Sequence, residues 1–397
     1  MNNFIFLNLG THPLANAYLN KNELKKKERK YKLQVSFNEN NYLVKVISKL
    51  SSRMMFNNKY PYRSSMSQTM LKSFSKLSKK IKRMKEIKKD KILEIGSNDG
   101  AFSINFNKKN IICVEPCGNL AKITKSMNYK TYSEYWNLKL AKKILGQNGK
   151  VDIIFSSNTI SHIEDLDNVF RSIHYILDKD GILIIEDPSL LECLKKNTYD
   201  QFYNEHIYVF SYTSLKKILK KYNLEIYNVE NISTHGGSTR YYIKKIKNKK
   251  IKIKDSVFKQ QTQEKIMRIH KIQTYIDFSK RVNKSKIKFI NIIKNLKKIN
   301  KKIIGYGATA KSCTVLNFCK INNKDIEYFI DTTPEKQNRY TPGTHIPIIK
   351  KPKKINPLKT IFYLGAWNFL KEIKKKEKKF VSGGGKFLIH TPYPRII

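Results

Sequence analysis

Lys91-Ile-Leu-Glu94-Ile-Gly96-Ser-Asn98-Asp99-Gly100 is the stretch on which the fold turns. Its apolar start fits a buried strand, and two glycines four apart end it in a turn where backbone can approach a ligand. Residues 101–106 are compatible with a helix, whose first N–H groups would face that ligand. Working outward, apolar runs at 92–95, 111–114, 151–155 and 181–185 alternate with helical periodicity at 119–126, 167–177 and 213–222. Buried runs joined by helical crossovers predict an α/β fold, a parallel sheet with helices on both faces. Glu115 closes the next strand nineteen residues after Gly96. A carboxylate there can accept both ribose hydroxyls of a nucleoside.

The rest of the chain divides around this unit. Residues 1–60 lack strong periodicity, and residues 66–90 read as a surface helix leading into the sheet. The expected boundaries are an N-terminal module at 1–60, a central domain at 61–248, and a helical bridge with a second α/β unit at 249–397. In that second unit, strands are expected at 303–306, 326–330, 361–364 and 387–389, with a helix near 311–319.

At 397 residues and 40% hydrophobic composition, the chain can bury sizeable cores. Its formal charge of +48 comes from 79 basic against 31 acidic residues. Only ten of the basic residues are arginines, whereas reading bases or clamping phosphates favours Arg over Lys. The lysines are scattered with abundant Ile and Asn, as A/T-rich codons alone would produce, so no nucleic-acid partner is expected. The five cysteines form no CxxC pair and no regular framework. The N-terminus has no basic n-region, and the apolar runs are too short to span a bilayer, so a cytoplasmic chain without membrane insertion is expected.

Chemistry-bearing residues crowd the ends of the predicted strands. Ser156-Ser-Asn158-Thr-Ile-Ser-His162-Ile-Glu-Asp165 follows one and Glu186-Asp187-Pro188 another. Phe202-Tyr203-Asn204-Glu205-His206 and His235-Gly-Gly-Ser-Thr-Arg240 come next. In open α/β sheets such ends border the ligand crevice. Tyr203 and His206 are three apart, so one helical turn would set phenol and imidazole on one face, a pair able to remove a proton and hold an oxyanion.

The E-x-G-x-x-x-G form at Glu94 resembles motif I of Rossmann-like S-adenosylmethionine-dependent methyltransferases. More of the chain resembles the nucleotide-sugar C-methyltransferases. The likeness runs through Asn158–Asp165, Tyr203–His206, His235–Arg240, Gly305-Tyr-Gly-Ala-Thr-Ala-Lys311, Asp331-Thr-Thr-Pro-Glu-Lys336, Tyr340-Thr-Pro-Gly-Thr-His-Ile-Pro347 and Trp367-Asn-Phe. The resemblance implies a zinc-binding N-terminal domain, a central class I methyltransferase domain and a Rossmann-like C-terminal domain. The implied substrate is a nucleoside-diphosphate 4-keto sugar, and the implied cofactor is S-adenosylmethionine. One departure stands out: the family's second cysteine pair falls on Asn38-Glu-Asn-Asn41, and no cysteine precedes Cys113. Zinc, which needs about four N/S ligands, is therefore expected to be absent, and the module to be a packed remnant or partly disordered.

By the same resemblance, His206 is the leading base, with a pKa near the ordinary ~6.5, and Tyr203 holds the enolate oxygen or shares the proton. Glu94, Gly96, Asn98, Gly100 and Glu115 frame the cofactor, with Asn158 near its methionyl part. Tyr62 and Ser65, in a segment before the central domain, and His235, Arg240 and Lys311 are expected at the substrate, with Lys311 a phosphate partner. Two rival readings remain: oxygen methylation, and NAD-dependent oxidoreduction through the G-x-G-x-x-A loop at Gly305–Ala310.

Overall fold

The computed structural model describes residues 3–47, 50–85 and 87–397. The chain opens on an antiparallel sheet of β1 (Asn3–His12), β2 (Tyr31–Asn38) and β3 (Val44–Ile47). Tyr208–Val209, from far along the chain, completes it beside β3. Leu7, Leu9, Val35, Phe37 and Val44 are buried in one core with the long helix Ile272–Lys298 and part of the C-terminal unit. Phe37 stacks on Tyr275 of that helix at 4.2 Å. The module is therefore an ordered sheet, packed on a helix the sequence assigned to a bridge. Its β2–β3 turn closes through side-chain amides: Asn38 Oδ1 accepts from the Asn40 and Asn41 N–H groups, and Asn41 Oδ1 from Leu43 N–H. Among the described residues, no three His, Cys, Asp or Glu side chains gather closely enough to hold a metal.

The central sheet contains β4 (Ile92–Ile95), β5 (Ile111–Val114), β6 (Lys130–Tyr132), β7 (Val151–Ser157) and β8 (Leu177–Pro188). With Tyr208–Val209 counted as β9, it adds β10 (Leu224–Ile232) and β11 (Ser238–Lys245). The order is β6-β5-β4-β7-β8-β11-β10, parallel except for β11, which runs antiparallel to both its neighbours. β4 and β5 are buried on both faces, which is why, Glu94 apart, they read as apolar runs. The winding reverses between β4 and β7, and the inserted antiparallel strand near one edge completes the Rossmann-like class I methyltransferase arrangement.

Two local expectations fail. Residues 101–106 form no α-helix, only the short 3-10 turn Ser103–Asn105. The hydroxyl of Ser103 is tied to Glu94 of β4, and the Asn105 amide folds back onto the Ala101 and Phe102 carbonyls. Tyr203 and His206 likewise sit in a turn closed by His206 N–H to the Tyr203 carbonyl, not on a helix.

Helices Asp255–Ile266 and Ile272–Lys298 lead to the C-terminal sheet. Its strands are β12 (Lys302–Tyr306), β13 (Phe329–Ile330), β14 (Arg339–Tyr340), β15 (Pro347–Ile349), β16 (Thr360–Leu364), β17 (Lys386–Ile389) and β18 (Arg395–Ile396). The order β14-β15-β13-β12-β16-β17-β18 has a parallel centre and antiparallel edges, with the winding reversed between β12 and β16. Among the described residues, no helix is long and apolar enough to cross a membrane.

Candidate active site

The two winding reversals border one cavity of about 700 Å³. The central sheet contributes Glu94, Gly96, Asn98, Glu115, Asn158 and Thr159, and the C-terminal sheet Gly307, Thr309, Lys311, Asp331 and Ala366. Crevices at such points are where open α/β sheets bind ligands. Residues 51–67 cross the cavity's rim as a strap. Asn98 fixes it, accepting from Ser64 N–H at 2.9 Å and donating to the Tyr62 carbonyl at 3.2 Å. Arg63 reaches Glu335 of the C-terminal unit at 2.5 Å.

At the β4 end, Gly96 has φ +76°, and a Cβ on it would lie 2.0 Å from Thr159 Oγ1. Only bare backbone fits there. Glu115 accepts the Asn98 and Cys117 N–H groups at 2.8 Å, which leaves further lone pairs of its carboxylate free. The indole N–H of Trp136 is buried without a partner in the cavity wall. An unpaired donor beside a buried carboxylate suits a polar nucleoside.

The other end gathers three imidazoles and an ammonium. His206 Nδ1 lies 2.8 Å from the Gln201 carbonyl, which can only accept, so the proton sits on Nδ1. Nε2 then presents its lone pair to the Tyr203 hydroxyl, which donates across 2.5 Å. Burial, then His162 and the Lys311 cation, holds His206 well below the ordinary imidazole range. His162 and His235 are each pushed down to about 3 by burial, and the Nε2 atom of each has no partner. Burial pushes Lys311 down to about 8, against the opposing charge of Asp200.

The structure brings Tyr203, His206, Glu94, Gly96, Asn98, Glu115, Asn158, Tyr62, His235 and Lys311 together on this cavity. It does not place Gly100, Ser65 or Arg240 in the wall. Gly100, at φ +83°, shapes the turn behind it. Ser65 is spent on Asp99, to which its hydroxyl donates at 2.5 Å. Arg240 is the largest correction. It lies inside β11 opposite Glu186 of β8 and Glu230 of β10, and donates to them at 2.7 to 3.1 Å. His235 belongs to the loop before β11, so the two residues of one motif part company. An ordinary pKa for His206 is also corrected, because the ring is buried. His162 was not singled out from the sequence. It sits four residues past Asn158, its ring stacked on Phe56 of the strap and 4.9 Å from His206.

The second glycine loop is occupied by the protein's own groups. Asp331 accepts the Ala308 and Thr333 N–H groups, and Thr309 and Ser312 cap the helix Ala310–Cys319 reciprocally. The Ala308, Thr309 and Ser312 N–H groups of this loop are thereby engaged within the protein.

Comparison with known proteins places two family models on consecutive stretches. "Methyltransferase domain" matches residues 62–229, and "C-methyltransferase C-terminal domain" matches residues 233–392. The chain is an S-adenosylmethionine-dependent methyltransferase of class I fold. Among its relatives is the C-methyltransferase NovU of Streptomyces niveus, 27% identical over 310 residues, which covers 78% of this chain and 74% of that protein. Solved structures similar to part of the chain include an S-adenosylmethionine-dependent methyltransferase from Clostridium acetobutylicum (15% identity, 45% of this chain, 93% of that one, TM-score 0.34). Another is the SAH-bound magnesium protoporphyrin IX methyltransferase of Synechocystis (15%, 44%, 81%, TM-score 0.33).

Proposed function

We propose that the chain methylates the carbon beside the ketone of a nucleoside-diphosphate 4-keto sugar, through an enolate. The observation that carries this reading is the Tyr203–His206 pair, with its tautomer fixed by Gln201. A sugar C–H is acidic only beside a carbonyl, so carbon methylation needs a base and a place for the resulting oxyanion. Tyr203 Oη takes the C–H proton while its own proton passes to His206 Nε2, leaving an enolate, a neutral phenol and an imidazolium. Burial makes that imidazolium costly, and the negative enolate and diphosphate beside it offset the cost. Lys311 faces the diphosphate, and His235 Nε2 the sugar. Bound S-adenosylmethionine supplies an electrophilic methyl group on a positive sulfur. Glu94, Gly96, Asn98, Glu115 and Asn158 frame it, Gly100 shapes the turn, and the Tyr62 strap keeps water out.

The test incubates the full chain with labelled S-adenosylmethionine and a panel of keto- and hydroxy-sugar nucleotides, followed by mass spectrometry. Exchange of the substrate C–H in D2O is followed separately with no methyl donor. Because the proton passes through both members of the pair, His206→Asn and Tyr203→Phe each slow exchange by at least about 10²–10⁴-fold while leaving cofactor affinity intact. Persistent exchange in the His206 variant moves the base elsewhere. No exchange with any keto sugar overturns the substrate class and turns attention to oxygen methylation.

A further inference from the structure

Asp200 lies in the 3-10 turn Tyr199–Gln201, fully buried and outside the cavity wall. Its Oδ2 receives two donors from the C-terminal unit: Trp367 Nε1 at 2.6 Å and His390 Nε2 at 3.1 Å. Its Oδ1 is buried with no partner. Two parts of the substrate end converge on the Trp367 ring. A Cβ on Gly236 would meet that ring at 2.4 Å, so the loop after His235 packs directly on it. The Lys311 ammonium stands 5.6 Å from its centroid. Lys311 Nζ also donates to the His235 carbonyl at 2.6 Å, and Gln201 Nε2 donates to the same oxygen at 2.6 Å. His235 is thereby held in a left-handed bend at φ 52°. A non-glycine residue persists in that conformation only when its surroundings over-determine it.

We propose that Asp200 is a positioning residue that fixes Trp367, Lys311 and the His235 bend as one unit at the substrate end of the site. The inference rests on Lys311 serving as partner of the substrate's diphosphate. Asp200 acts in two ways. Through Trp367 it sets the surface on which the His235 loop rests. Through its charge it opposes the desolvation that would strip the proton from Lys311. Burial works to raise Asp200 itself, but His390, Lys311 and the indole N–H outweigh it and hold it ionised. The other titratable groups around Lys311 are Cys193, His235 and His206, and burial disfavours the charged form of each. Lys196 Nζ is engaged nearby with the Gly236 carbonyl. Asp200 is thus the anion that keeps this ammonium available.

The test reads Lys311 directly and needs no substrate. Trace acetylation of the full chain across pH 6–10, with Lys311 followed by peptide mass spectrometry, yields its titration midpoint. A midpoint near 8 is the expected result for the native chain. Asp200→Asn is expected to lower it by about one unit or more, the scale on which an opposite charge moves a buried neighbour. Trp367→Phe keeps the ring and the Asp200 charge, so the midpoint stays. The lost indole hydrogen bond raises the keto-sugar KM by about tenfold, with cofactor affinity unchanged. If Asp200→Asn lowers the melting temperature but leaves the Lys311 midpoint in place, the residue is merely structural and the proposal falls. A moved midpoint with no change in any keto-sugar KM upholds the positioning of Lys311 and removes the diphosphate reading instead.

Discussion

Arg240→Met separates a structural cation from a substrate contact. The guanidinium is 4% exposed and the Glu186 side chain 0%. Two of its nitrogens donate to Glu186 Oε2 at 3.0 and 2.7 Å, and a third to Glu230 at 3.1 Å. Removing it leaves Glu186 with one long contact, from the Thr234 hydroxyl at 3.3 Å. An uncompensated buried charge costs about 3–5 kcal/mol. For a cooperative unit of about 190 residues that amounts to a fall of roughly 6–20 °C in melting temperature. Scanning calorimetry of the full chain reads the loss, and S-adenosylmethionine titration and substrate KM provide the contrast, both expected to stay near native values. Adding Glu186→Gln removes the stranded charge and is expected to restore much of the loss. An unchanged melting temperature with a raised substrate KM would refute the reasoning and return Arg240 to the substrate.

Three further outcomes are expected. Because burial depresses His206, the folded value lies below the unfolded one, and the ring stays neutral as pH falls through 6.5. The acid limb of kcat/KM therefore lies below pH 6.5, and a limb at or above it contradicts a buried base. Gly96→Ala weakens S-adenosylmethionine binding by about tenfold or more from backbone strain alone. Calorimetric titration measures it, and Thr159→Ala in the same background recovers part because the new Cβ would otherwise meet Thr159 Oγ1 at 2.0 Å. Chelator treatment leaves the melting profile unchanged, whereas one equivalent of tightly held zinc in elemental analysis would overturn that expectation.

The central sheet was legible because its strands are short apolar runs buried on both faces: β4 and β5 fall where the sequence put them. β10 was not. A register shift between Ile226 and Asn228 breaks its alternation, and its polar residues pair with the neighbouring strand. β1 hides in the same way, with shifts after Ile5 and Asn8. The glycine turn announced itself through spacing, and the cavity does form beside it. Arg240 was misplaced because a one-dimensional motif does not record where a loop ends and a strand begins. His162 escaped notice because its ring matters through stacking on Phe56, a residue more than a hundred positions earlier. The pKa of His206 could not be read at all, since burial belongs to the fold rather than to the residue.

Strand β9 begins two residues after His206 and pairs with β3, Val44 against Val209. Just before His206, Glu205 is gripped by Asn16 at 2.8 Å and by Tyr60 at 2.9 Å. The opening sixty residues are therefore the jig in which the Tyr203–His206 loop is clamped, rather than an appendage carried by an otherwise self-sufficient enzyme. Cutting them away would free one flank of the Tyr203–His206 loop and bare the edge of β9, even with every cavity residue of the central sheet still in its place. A chain of this design works as a single piece: the opening module both lines the cavity, through Asn16, Phe56 and Tyr60, and sets how still the Tyr203–His206 loop is held.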